Sequence, residues 1–398
     1  MADDLSPAAA QHLFSRDPGE RYAAFAELRG ACPMHRLPGG ELFAVSHAAN
    51  SEGIRAVEHF SGTFSDSGAL PQEDIILAGI PEPKHSEMRR IFLSALTDFT
   101  RHESFIREVS ERLVDETIAA AARDGTADLM EGLARPLPST VIARLLGLPM
   151  DDVGQFARWT DELLERQGAA TSNNTALVDL HPDFANYLGG HIVARRDSAN
   201  PPDDVITRFT RAALEGEPMS VRAIQTQMIF FVVAGNGTTR DLIGNLLVYM
   251  TRDPALFRRL DRDRAAIPAV IEEVLRIDSP VQMLARNCVA PITLDGVAIA
   301  PGQRVLFSIA SANRDGAVWA EPDTLRPDRD KARAHLAFGA GPHICPAAGL
   351  ARLEARIAAE VLLDRVAALE LPPDHMPDPN PVVWANGPQT FRVRVTAK

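Results

Sequence analysis

Residues 338–352 read Phe-Gly-Ala-Gly-Pro-His-Ile-Cys-Pro-Ala-Ala-Gly-Leu-Ala-Arg. One cysteine, Cys345, stands between a glycine-rich turn and a helical run from Pro346 to about Leu369 that is rich in Ala, Leu, Glu and Arg. Pro346 suits the first position of a helix, where no amide hydrogen is needed. Cys345 is therefore expected at a helix N-terminus, whose partial positive charge favours an anion. A thiol there ionises readily, and the thiolate is the form that binds metal. Gly339 and Gly341 let the backbone approach something flat, with Phe338 and His343 flanking it. A buried structural cysteine is the competing role for a lone Cys.

Four further groups carry possible chemistry. His85 and Arg89 are four apart in a helical run and share a face. They suit a pair of carboxylates, or simply an exposed basic face. In the longest helical candidate, 220–251, the apolar run Met228–Ala234 is interrupted by Gly235, Asn236, Gly237, Thr238 and Thr239. A glycine inside a helix costs about 1 kcal/mol relative to alanine, so the space these leave is expected to be needed. A hydroxyl beside such a gap can bond back to the helix and distort it. Asp241 lies one turn on, either as a proton carrier or as a solvated or ion-paired acid. Glu273 and Arg276 form a Glu-x-x-Arg pair on one helix face. Arg286, after Ser279-Pro280, suits bidentate binding of a carboxylate, or a surface place before a strand.

In their order and spacing these five motifs, from about residue 85 onward, resemble the cytochrome P-450 family of soluble bacterial haem-thiolate monooxygenases; residues 1–84 match only in general character. The resemblance implies haem b (iron protoporphyrin IX) with Cys345 as axial thiolate, and Phe338, Gly339 and His343 around it. It implies His85, Arg89 and Arg286 on the propionates. It places Thr238 as the oxygen-activating threonine and makes Glu273, Arg276 and Arg329 a structural trio; Asp241, with Asn236 and water, is the candidate substitute for proton delivery where the family acid is missing. Two positions depart from the family pattern. Gly237 stands where an Asp or Glu is usual, and Leu325-Arg326 replaces a Phe-Asp start. Substrate contacts are expected from 62–84, Phe230, Val233, Ala234, Val281, Gln282, Leu284, Pro388, Gln389 and Thr390. These are mostly aliphatic, which fits a terpenoid, steroid or polyketide-like molecule.

The implied reaction inserts one oxygen atom from O2, helped by a thiolate that pushes electron density through the iron. Pro346 has no N–H, so the Cys345 sulfur is expected to lack one backbone donor and to give a lower reduction potential. No flavin or reductase module is appended, so electrons are expected from a ferredoxin or flavodoxin and its NAD(P)H-dependent reductase. Arg89, Arg90, Lys331, Arg333, Arg352 and Arg356 are candidates for a basic docking patch, unless propionates or internal ion pairs take them. Two other readings stay open: a haem-thiolate enzyme that uses peroxide or reduces nitric oxide, since the acid before Thr238 is missing, and a non-enzymatic haem sensor.

These side chains must be positioned by a largely helical chain of 398 residues, 45% hydrophobic, enough for a large core. Residues 20–30, 85–97, 103–123, 139–147, 151–167, 176–197, 203–215, 220–251, 253–260, 264–278 and 346–369 carry helical periodicity or composition. Strand signals cluster at 289–309 and 381–396. The expected class is mainly α with small β-sheets (α+β), one domain over 1–398. The resemblance implies a long central helix over the haem and the thiolate loop on its opposite side. Three cysteines, Cys32, Cys288 and Cys345, are too far apart for a disulfide framework or a zinc spacing. A net charge of −12 argues against nucleic acid and anionic membrane as partners. No apolar run is long enough to span a bilayer, and the acidic N-terminus lacks signal-peptide features. A soluble, cytoplasmic monomer is expected.

Overall fold

The periodic apolar runs fold as helices. The computed structural model describes residues 2–62, 70–96, 98–169, 175–330, 332–373 and 375–398. The helices that matter for the site are α1 Pro18–Ala31, α2 Lys84–Leu96, α3 Glu103–Asp124, α4 Val221–Arg252, α5 Ile267–Ile277 and α6 Ala348–Arg365. The strands are β1 Leu42–Ala44, β2 Ala127–Asp128, β3 Leu284–Cys288, β4 Arg304–Phe307, β5 Val366–Glu370 and β6 Arg392–Ala397. The class is mainly α with small sheets. The chain divides into two compact units: one of Met1–Ser61, Glu103–Arg135 and Thr238–Lys398, the other of Gly62–His102 and Pro136–Gly237.

In the first unit, α1 starts where Asp17 accepts hydrogen bonds from the amides of Gly19 and Glu20, with Pro18 in the first turn. α3 packs on α6, whose Ala355, Ala358 and Ala359 are buried. Arg356 joins the two, pairing with Glu103 at 2.9 Å and Glu360 at 2.8 Å. β4 runs between β1, parallel, and β3, antiparallel, so that Val305 stands opposite both Leu42 and Arg286. Phe307 on β4 meets Phe60 edge-to-face at 5.3 Å. A Cβ on Gly53 would sit 2.2 Å from the Phe307 ring, so only glycine fits there. Burial of a ring such as Phe307 stabilises by roughly 1.5–3 kcal/mol. A second sheet has β6 between β5 and β2.

In the second unit, two short 3-10 turns, Gln72–Asp74 and Leu77–Gly79, are tied to the first turns of α4. Arg222 grips Asp74 at 2.6 and 3.0 Å. Gln227 accepts from the Leu77 amide and donates to the Ile75 carbonyl. This is the described part of the expected substrate segment 62–84; residues 63–69 lie outside the described residues.

Several expected spans differ. The helix of 346–369 begins only at Ala348 and ends at Arg365; Val366–Glu370 is a strand paired antiparallel with β6. Burial of Val366 and Leu369 against β6 outweighs the helical preference of Ala and Leu there. Pro346 lies in a turn before the helix rather than at its first position. The span 203–215 is helical only over Val205–Thr210, then turns into a hairpin of Ala213–Leu214 with Glu217–Pro218. Glu215 and Gly216 both have positive φ, as a two-residue hairpin loop requires. The span 176–197 breaks at His181, whose φ and ψ of −142° and 78° are non-helical before Pro182. The terminal strand is regular only from Arg392; residues 381–391 are turns with isolated bridges.

Candidate functional site

The cysteine loop closes on itself within the first unit. The Cys345 amide donates to the Phe338 carbonyl at 2.9 Å, and the Gly339 amide to the Leu336 carbonyl at 2.8 Å. Gly339 and Gly341 have φ of +73° and +67°, the left-handed region that a side chain disfavours. A Cβ on Gly341 would also press on Arg55 at 3.1 Å. His343 ends the 3-10 turn Gly341–His343. The half-buried Cys345 thus stands three residues before α6, at the end of a tightly wound backbone cradle.

A buried ion network sets this cradle. Glu273 and Arg276 are wholly buried and bidentate, at 2.8 and 3.0 Å, and Arg329 reaches Glu273 at 3.2 Å. The Glu-x-x-Arg reading and its later arginine therefore meet in space. Burial alone would raise the Glu273 pKa, but hydrogen bonds from Arg276 and the Arg326 amide hold it below the usual range. Arg276 also donates to the carbonyls of Asn313, Pro322 and Thr324. Asn313 in turn accepts from the Leu336 amide at 2.8 Å, so one buried amide joins the trio to the cysteine loop. Next to Glu273, Glu272 takes Arg352 at 2.6 and 2.9 Å and His335 at 3.1 Å. Burial opposes ionisation of Glu272, but hydrogen bonds from His335 and Arg352 hold it down to about 2. Arg352 lies 4.5 Å over the Phe338 ring, fixing that wall of the loop. Asn313, Glu272 and His335 were not singled out from the sequence. The only signal was a second glutamate beside the Glu-x-x-Arg pair.

Arg286 on β3 is 7% exposed, and among the described residues its guanidinium donates only to the neighbouring Ala285 carbonyl. Burial pulls its pKa down to about 10, with no acidic neighbour to restore it. A buried cation with no carboxylate within ion-pair distance among the described residues calls for an anionic ligand group. Such a cation, with a glycine cradle leading to one cysteine, fits the propionate and thiolate contacts of a haem. Further along α6, Glu354 is 2% exposed and makes no hydrogen bond or ion pair among the described residues; burial pushes its pKa up to about 8.

The helix α4 runs unbroken through its glycines. Gly235 sits where a Cβ would meet Ile142 at 3.0 Å, and buried Asn236 accepts from Ser139 at 3.0 Å. In the first unit, Thr238 is half-buried. Asp241 is 2% exposed and paired with Arg240 at 2.9 Å, with the Asn380 amide at 3.4 Å. Burial raises its pKa against the pull of Arg240. A Cβ on Gly387 would meet Asp241 at 2.6 Å, so the turn at 387 packs directly on this acid.

Among expected substrate residues, Val281 bridges Ala385, which brings 281–284 and 385–390 together. Gln282 is wholly buried: its side chain donates to the Ser279 carbonyl and its amide to the Trp384 carbonyl. Leu284 is half-buried at the head of β3. Pro388 bridges Pro379, the Gln389 amide donates to the Asp378 carbonyl, and Thr390 donates to the Asp378 carboxylate at 2.6 Å. In the second unit, Phe230 is half-buried, Val233 buried and Ala234 exposed on α4. There too, His85 is buried on α2, 3.0 Å from Glu82, and half-buried Arg89 follows one turn on. Of the expected basic patch, Arg352 and Arg356 are engaged in the pairs described above. Arg90 and Arg333 are exposed, and Lys331 lies outside the described residues.

The family model described as Cytochrome P450 matches residues 25–393. The chain is 33% identical over 387 residues to the cytochrome P450 monooxygenase PikC of Streptomyces venezuelae, covering 94% of this chain and 89% of that one. It is 30% identical over 361 residues to a steroid C26-monooxygenase of Mycobacterium tuberculosis, covering 89% and 88%. Among solved structures, CYP109E1 from Bacillus megaterium in complex with testosterone superposes with a TM-score of 0.81 at 29% identity, over 94% of this chain and 98% of that one.

Proposed function

The chain belongs to the cytochrome P450 family and is a haem-thiolate monooxygenase, and from that premise we propose that Cys345 is the iron ligand and that the substrate is a hydrophobic polyketide-, macrolide-, steroid- or terpenoid-like molecule. The closed Cys345–Phe338 loop carries the ligand assignment. When bound, the haem supplies the activation of O2 that puts one oxygen atom into a C–H or C=C bond. Cys345 contributes electron density as thiolate. Arg286, together with His85 and Arg89, holds the propionates, and Phe338, Gly339 and His343 shape the loop at the porphyrin face. Thr238, Asn236 and water carry protons along α4. Asp241, paired with Arg240, first has to loosen that bond if it is to pass a proton on.

Phe230, Val233, Ala234, Val281, Gln282, Leu284, Pro388, Gln389 and Thr390 line the substrate side in this reading. The names of the relatives support the substrate class, since one acts on steroids and one structure holds testosterone. Electrons come from a ferredoxin, or a flavodoxin, with its NAD(P)H-dependent reductase. The protein works as a cytoplasmic monomer in a single catalytic domain, without nucleic acid or membrane. Among the described residues, no helix is long and apolar enough to cross a membrane.

The test is the reduced, carbon-monoxide-bound spectrum. Cys345→Ala loses the thiolate-type Soret band; retention of the parental band would refute the assignment. A second reading, oxygen delivery by peroxide, is favoured by Gly237 in place of the usual acid and by the pairing of Asp241. Turnover with hydrogen peroxide that exceeds turnover with ferredoxin and reductase selects it.

A further inference from the structure

The last strand carries two cations that no described residue pairs with. Arg392 and Arg394 are exposed and make no side-chain hydrogen bond or ion pair among the described residues, in a chain of net charge −12. Two apart on β6, they share one face, with Cα atoms about 7 Å apart. Val393 between them is wholly buried on the other face. With Thr126, Pro372, Pro373 and His375 they line a cleft of about 340 Å³. The His375 Nε2 accepts from the Arg392 amide at 2.9 Å. The neutral ring therefore carries its proton on Nδ1, a donor free of that bond. The two prolines give rigid walls without amide hydrogens. Among the described residues, the two carboxylates opposite these arginines do not pair with them. Asp128, opposite Arg392 in register, accepts from the amides of Met130 and Phe391. Glu370, opposite Arg394, is not within ion-pair distance of it among the described residues.

We propose that this cleft binds a phosphate-class oxyanion, inorganic phosphate or a phosphate monoester, held by Arg392, Arg394 and His375. Two planar guanidinium forks and a ring N–H match the charge and acceptor geometry of a dianion. The site is separate from the cysteine loop. Its walls come from both ends of the 371–391 loop, which the His375–Arg392 and Asp378–Thr390 hydrogen bonds already close. An anion there staples the stem of that loop, which carries Pro388, Gln389 and Thr390. Only this last consequence for substrate rests on the function proposed above.

The experiment titrates inorganic phosphate into the haem-loaded full-length protein by calorimetry at constant ionic strength, with chloride as the reference anion. The parent shows saturable one-to-one binding. Arg392→Gln/Arg394→Gln, with its carbon-monoxide spectrum unchanged, binds about tenfold more weakly or worse. Non-saturable binding by the parent, or equal binding by the double variant, overturns the proposal. Glycerol phosphate and vesicles of phosphatidic acid in phosphatidylcholine form two further arms. Binding in the soluble arms identifies a free metabolite-type phosphate, and tighter, arginine-dependent binding to vesicles on top of saturable phosphate binding identifies a lipid headgroup; binding to vesicles alone overturns the proposal. Hydrogen exchange within 376–391 slows on phosphate addition; unchanged exchange with proven binding removes the staple.

Discussion

Replacing Glu354 with glutamine changes how stability depends on pH. The Glu354 carboxyl is enclosed in α6 with no hydrogen-bond or ion-pair partner among the described residues, and its pKa is pushed up to about 8 from 4.5. Because its folded pKa lies above the unfolded one, the native state holds a proton that the unfolded chain releases. The stability this gives is fully present below about pH 4.5 and is lost as pH rises towards about 8. Across that window the parent loses about 1.4 kcal/mol per pH unit through this one group. Glutamine keeps the shape and cannot titrate. Relative to parent, Glu354→Gln therefore gains about 2.5 kcal/mol in unfolding free energy between pH 5.5 and 7.5. Urea denaturation of both haem-loaded proteins at pH 5.5, 6.5 and 7.5 measures the difference directly. Parallel profiles, with a constant offset at all three pH values, would show that the carboxyl has a partner or is wetted, and would refute the reasoning.

Arg286→Leu removes the buried cation that lacks an internal acid, so haem affinity should fall by at least about tenfold, while Arg286→Lys should restore part of it; equal haem transfer to apomyoglobin from parent and both variants would count against a propionate contact. Pro346→Leu gives the Cys345 sulfur a further amide donor, and spectroelectrochemistry should find a higher reduction potential; an unchanged or lower value speaks against that donor. Glu273→Gln leaves Arg276 buried without its counter-charge and should cost about 3–5 kcal/mol, read as a lower denaturation midpoint; a loss below about 1 kcal/mol would mean that the carbonyls of Asn313, Pro322 and Thr324 hold Arg276 on their own.

Much of the site was legible in the sequence because its chemistry is contiguous. The cysteine loop is a single run, and its glycines, read as allowing a close backbone approach, have left-handed φ. α4 was readable from its long apolar run, and Glu273 with Arg276 from a one-turn spacing. Arg329 needed the resemblance, since nothing local ties it to a residue 56 positions earlier. Asn313 and His335 were invisible for the same reason: each acts through a partner distant in the chain, and neither residue type announces such a role. The strand at 366–370 was read as helix because Val-Ala-Ala-Leu-Glu carries helical composition, and only β6 decides otherwise. Asp241 shows the reverse limit. Its spacing on α4 was clear, but its pairing depends on the side-chain geometry of the adjacent Arg240, which no periodicity encodes.

The route from Glu273 through Arg276 and Asn313 to Leu336 and Cys345 stays within about seventy residues of continuous chain. Closing such short loops costs little entropy, and low sequence separation favours early formation. During synthesis every member of that relay has left the ribosome by the time the cysteine emerges. Arg352, which fixes the Phe338 wall, emerges only afterwards, so the buried relay comes first in the chain and the helix behind the cysteine completes the seat.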